Sequence, residues 1–224
     1  MAQLPTVPEA SRADHILFEM TGGHAKAVAI LVRHLGLLGA ARAGVYLARR
    51  QATDSPLKDL PPVEPGDTGE WLSRRQLEPV LILDDFLQQR TGRTADESAA
   101  VLLDLVAEVG GSLLARRFPE LERSSWAAAV EGAREQVARR VFARLGNVPE
   151  ATIRSGADWL EVDVNRCRFN ELCRELGRPQ LAPLFCAADT RFFEQPGSPV
   201  KLVRTGTMAG GASRCDFRFE LPEG

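Results

Sequence analysis

The periodicity of the chain changes at one place. Before "GNVPE" (146–150) apolar residues recur at the three-to-four spacing of helices; after it they mostly alternate, as in strands. The pattern predicts an α+β fold with a helical N-terminal half followed by a small antiparallel sheet with two helices. The boundaries read as a helical region, 1–148, and an α+β region, 149–224, packed together as one globular unit.

Within the first region, residues 24–50 are rich in Ala and Leu and end in basic residues, which suit a helix C-terminus. Residues 53–70 read as a Pro/Gly/Asp connector. A helix resumes over 74–92, with Pro79 expected to kink or restart it. Thr94 or Asp96 is suited to cap a helix over 97–118. Pro119 breaks the chain before 120–146, where Trp126, Val130, Val137, Val141 and Leu145 recur as a core face. "MTGGHAK" (20–26) reads as a helix break, since no strand precedes it and the spacing is wrong for a phosphate loop.

The second region begins with a hairpin, 151–169, turning near Ser155–Gly156. In its second arm Leu160, Val162 and Val164 share one face, and Glu161, Asp163, Asn165 and Cys167 share the other. A short helix over 169–177 ends at Gly177, another follows at about 181–194, and 198–221 reads as two strands around a Gly-rich turn. In the last strand Cys215, Phe217, Phe219 and Leu221 face one way; Arg214, Asp216, Arg218 and Glu220 face the other.

The net charge of −2, with Arg-rich stretches offset by nearby acids, argues against a nucleic-acid partner. No uninterrupted apolar run reaches the length of a membrane span, and the first residues lack the form of a secretory signal. The expectation is a cytoplasmic protein with a small-molecule substrate, no membrane contact and reduced thiols.

All four cysteines, Cys167, Cys173, Cys186 and Cys215, fall in the last third of the chain. None of their spacings is a zinc knuckle, and His15, His24 and His34 all lie in the first helices. No cofactor is expected, although Cys167, Cys186, Cys215 and Asp189 form a candidate set for a divalent metal such as zinc. Cys186 and Asp189 are one helical turn apart, so thiol and carboxyl can meet. A carboxylate raises a neighbouring thiol's pKa, so Asp189 suits the role of base or of partner to a substrate nitrogen. Simple burial of small apolar side chains is the third reading of the cysteines.

Read together, "VNRCRFNELCRELGRPQLAPLFCAAD" and "RTGTMAGGASRCDFRF" resemble the L-2-amino-thiazoline-4-carboxylic acid hydrolase family. The matching positions are Asn165, Cys167, Gly177, Pro179, Phe185, Cys186, Asp189, Arg204, Thr205, Thr207, Gly211, Cys215, Asp216 and Phe217. Cys173 stands outside the pattern. The resemblance implies an enzyme that opens a small cyclic amidine or thiazoline-type ring, written as hydrolysis of a non-peptide C–N bond; the named activity gives an N-carbamoyl cysteine. On that reading Cys186, Asp189, Cys215 and Cys167 are catalytic candidates. Arg204, Asn165, Thr205 and Thr207 are substrate-binding candidates, with Arg204 suited to a carboxylate. The alternatives are a thiol-lined module that binds a metal or small ligand without catalysis, and a family member recruited to another ring transformation.

Overall fold

The computed structural model describes residues 4–196, 198 and 200–221. Residues 1–3, Gly197, Pro199 and 222–224 lie outside the described residues, Pro199 among them falling within the expected strand segment 198–221.

The helical half comprises α1 (Arg12–Phe18), α2 (His24–Thr53), α3 (Thr68–Thr91), α4 (Ala95–Arg117), α5 (Arg123–Ala128) and α6 (Glu131–Leu145). A single π-helical turn, Glu19–Gly23, joins α1 to α2, so "MTGGHAK" is a change of helical pitch rather than a phosphate loop. Gly36, at φ 70°, kinks α2. Pro79 lies inside α3, which runs through it without restarting. The Thr94 hydroxyl accepts from the Glu97 N–H while the Glu97 carboxylate accepts from the Thr94 N–H, a capping box that fixes the start of α4.

The expected helix over 120–146 divides in two. Ala129 and Val130 adopt extended backbone between α5 and α6, which turns Val130 out to 73% exposure and removes it from the expected core face. Trp126, Val137 and Val141 remain buried. Helix α6 ends at Gly146, at φ 84°, where a Cβ would come within 2.6 Å of Leu72 Cβ.

The second half contains β1 (Glu150–Ser155), β2 (Trp159–Arg166), α7 (Arg168–Glu175), α8 (Ala182–Phe193), β3 (Lys201–Val203) and β4 (Cys215–Glu220). The four antiparallel strands lie in the order β1-β2-β4-β3, so the two hairpins join through β2 and β4. One sheet face buries Leu160, Val162, Val164, Cys215 and Phe219. The other carries ion pairs such as Arg154–Asp163, Arg214–Asp163 and Arg218–Glu161, the alternation of a sheet wet on one side.

Two apolar cores result. One joins α2, α3, α4, α7 and α8; the other lies between the sheet, α6 and the end of α8. Cys167 packs against both. The buried acids Asp84 and Asp85 on α3 are paired with Arg178, so the first core contains no uncompensated charge at that point.

Two helical stretches, Arg12–Thr53 and Ala95–Arg117, are long and apolar enough to cross a membrane by length and composition alone. This corrects the reading from uninterrupted runs: sparse charges spread over long helices still leave high mean hydropathy. Half of the second stretch's apolar window is buried as a core helix, whereas only 22% of the first is.

Cys173 is fully buried in the first core. Cys173→Ser should therefore lower stability by about 1–3 kcal/mol, because its hydroxyl would lack a partner. Turnover should be unchanged, and urea unfolding with parallel assays checks both expectations.

Candidate functional site

Where the two cores meet, a cavity of about 90 Å³ remains between α4, α6, α7, α8 and the buried face of the sheet. Such a volume holds several water molecules or a small ring. Its wall is mainly apolar and includes Phe118, Phe142, Phe169, Phe185, Phe193, Phe217 and Phe219. Phe169 and Phe185 stack at 4.1 Å.

Cys167, Cys186, Cys215 and Asp189 all line this one cavity. Alternation along β2 had put Cys167 on the solvent face. Instead the strand ends at Arg166, and Cys167, as the N-cap of α7, turns inward. Cys186 and Asp189 project from successive turns of α8, and Cys215 opens β4 with its Sγ accepting from the Met208 N–H at 3.2 Å. Among the described residues no group of three or more His, Cys, Asp and Glu side chains is arranged to hold a metal ion.

The electrostatics separate the acid from the thiols. Burial pushes the Asp189 carboxyl up to about 7, against the opposing pull of Arg204. About 30% of its side-chain surface is accessible, and the residue lines the cavity. Burial also pushes Cys186 up to about 12, with Asp189 and the neighbouring sulfurs adding to the effect. Cys167 rises to about 11 for the same first cause, partly offset by the backbone N–H groups of Asn170 and Phe169 at the start of α7. Cys215 is also raised, chiefly by burial. The three cavity thiols therefore rest protonated at neutral pH, while Asp189 titrates there.

Arg204 stands behind this wall. Its Nη2 donates to Thr190 Oγ1 at 2.6 Å and to the Cys186 carbonyl at 2.9 Å, and its guanidinium lies over Phe217. Nη1 is 3.9 Å from Asp189 Oδ2 and is buried without a hydrogen-bond partner. Arg204 lines a shallow surface groove rather than the cavity, and Cys186 borders both.

The remaining candidates sit elsewhere. Asn165 stays on the solvent face of β2, donating to Thr152 Oγ1, because the strand alternation there is unbroken. Thr205 is engaged by Asp216: its N–H and hydroxyl, together with the Gly206 N–H, donate to that carboxylate. Thr207 accepts from the Gly210 N–H and borders the outer groove. None of the three is brought to the cavity wall.

Asp216 thus organises the loop that carries Arg204. Burial raises its carboxyl, but the donors from Thr205 and Gly206 outweigh this and hold it below the usual carboxylate range. Its contribution is therefore present above the unfolded carboxylate pKa and is lost as pH falls through the lower folded one. Asp216→Ala should cost about 2 kcal/mol, and chemical denaturation at several pH values should show the loss shrinking in acid.

Sequence patterns had not singled out Gln76, Asn147 and Asn170, which also line the cavity. The signal for Asn170 was a polar residue at a core position of a short amphipathic helix. Gln76 and Asn147 have none, because their place depends on how α6 and α7 pack on α3.

Fold and site together define an α+β protein with a chamber lined by thiols and one carboxyl. The family described as L-2-amino-thiazoline-4-carboxylic acid hydrolase matches residues 89–219, more than half of the chain, and the chain belongs to that family. The match begins at the end of α3 and takes in every element that lines the chamber except the body of α3, and it supports a hydrolase-type role at the level of the family. Neither a curated protein nor a solved structure gives a significant match to the chain.

Proposed function

We propose that the protein hydrolyses a small ring containing an amidine-type carbon, with Asp189 as the proton-transfer group and Cys186 as the attacking nucleophile. The observation that carries this reading is a carboxyl held near neutrality, one helical turn from a thiol, in a mainly apolar chamber with aromatic walls. The elevated pKa of Cys186 excludes a resting thiolate reservoir, so its proton moves to Asp189 as sulfur attacks.

The steps balance for an aminothiazoline. Cys186 sulfur bonds to the carbon between nitrogen and sulfur. The tetrahedral adduct collapses by breaking the ring C–S bond, and Asp189 returns the proton to the departing sulfur. Water then adds to the same carbon as Asp189, now a carboxylate, takes its proton; Asp189 passes that proton to the Cys186 sulfur as the carbon–sulfur bond breaks, and an N-carbamoyl thiol leaves. An N-carbamoyl product keeps the ring C–N bond, so for a thiazoline the bond broken is C–S. C–N cleavage belongs to analogues in which nitrogen is the leaving atom.

A second reading has Asp189 activating water directly, favoured by the protonated state of every cavity thiol. Chromatography with mass detection of ring compounds incubated with the protein tests the shared claim of ring opening. No product from any ring amidine, with folded protein, would overturn it. Elemental analysis with thiol titration separates both readings from a thiol-bound metal: one metal per chain with unreactive thiols supports the latter. The protein is expected to act on a small molecule in the cytoplasm without a cofactor.

A further inference from the structure

We propose that the chamber, if it is the hydrolytic site, selects an uncharged or cationic ring amidine that lacks the carboxylate of the compound naming the family. Three observations lead there. No Lys, Arg or His lines the cavity, and Asp189 is its only carboxyl. The unspent polar groups of the wall are neutral: among the described residues the side-chain amides of Asn147 and Asn170 make no hydrogen bond.

The guanidinium behind the wall is already engaged. Both hydrogens of Arg204 Nη2 are taken by Thr190 and the Cys186 carbonyl, and Nη1, buried without a hydrogen bond, faces Asp189 at 3.9 Å. Each two-point fork by which a guanidinium recognises a carboxylate uses Nη2, paired with Nη1 or with Nε, so neither fork is open here. An anionic ring would enter a chamber of about 90 Å³ next to a carboxyl, with aromatic walls to solvate its charge. Like charges so placed repel strongly. An amidinium in the same place instead forms a charge-assisted pair with Asp189, its body lying against the Phe169–Phe185 stack. Arg204 is accordingly a positioning residue that holds α8 and faces Asp189.

Calorimetric titration of the wild-type protein with 2-amino-2-thiazoline and with its 4-carboxylate tests this directly. The uncarboxylated ring should bind at least about tenfold more tightly, a difference of about 1.4 kcal/mol. Asp189→Asn, shown to be folded by circular dichroism, should lose most of that preference. Equal or tighter binding of the carboxylate, or no binding of either ring, would overturn the proposal. Turnover measured alongside keeps it distinct from the hydrolase reading. Binding in the expected order without ring opening would remove hydrolysis and leave the selection standing. Ring opening with the carboxylate preferred would do the reverse.

Discussion

Asp189→Asn should reduce turnover by roughly 10²–10⁴-fold, the usual scale for removing a positioned acid–base group. The wild-type rate should rise with pH through about 7, where burial holds the Asp189 carboxyl, because the base form is required for attack. Any residual activity of the variant should lack that limb. The same carboxyl also affects stability, with a definite sign. In the folded protein Asp189 keeps its proton up to about 7, whereas in the unfolded chain it releases it near 4. The folded state therefore binds more protons between those values, and wild-type stability falls as pH rises across them. Asp189→Asn should flatten that slope. Urea unfolding at pH 4, 5.5 and 7 together with steady-state kinetics checks both halves. A variant that is inactive but retains the wild-type slope would show that Asp189 is not the group titrating near neutrality.

Cys186→Ser should lose roughly 10³-fold or more in turnover, as enzymes do when a nucleophile is removed. A serine hydroxyl is a far weaker nucleophile, and Asp189 is too weak a base to compensate. Substrate binding should change little, since one atom of the wall is replaced by a smaller one. Cys215→Ser should be milder, because its sulfur accepts the Met208 N–H and a hydroxyl also accepts. Single-turnover assays of the two variants, with ligand titration of each, separate loss of chemistry from loss of the chamber. Near-normal activity in Cys186→Ser would favour attack by water activated at Asp189.

Much of this fold was legible in the sequence because its elements are long and strongly periodic. The change at 146–150, the Thr94 cap and the alternation along β2 and β4 each act over a few residues, and each appears in the structure. The failures are also local. Pro79 is tolerated because α3 is packed on most of its sides, which outweighs one missing N–H. Val130 kept the helical spacing, but the chain breaks beside it. At the site, the motif residues on α8 were readable from the spacing of Cys186 and Asp189. The inward turn of Cys167 was not, because strand parity holds only while the strand continues. Arg204 was legible as a charge near the thiols, yet its contacts with Thr190 and the Cys186 carbonyl arise from how β3 packs on α8. The Phe-lined wall was not read at all as a site, since a core and a chamber differ by a gap that no spacing encodes.

Intact and peptide mass spectrometry of enzyme quenched during turnover tests the central claim most directly. Addition of the thiol followed by ring opening retains every atom of the substrate, so Cys186 should carry an adduct of the full substrate mass. Cys173, sealed in the first core, should carry none. Enzyme shown to be turning over, yet repeatedly free of any adduct on Cys186, would contradict covalent catalysis in this chamber.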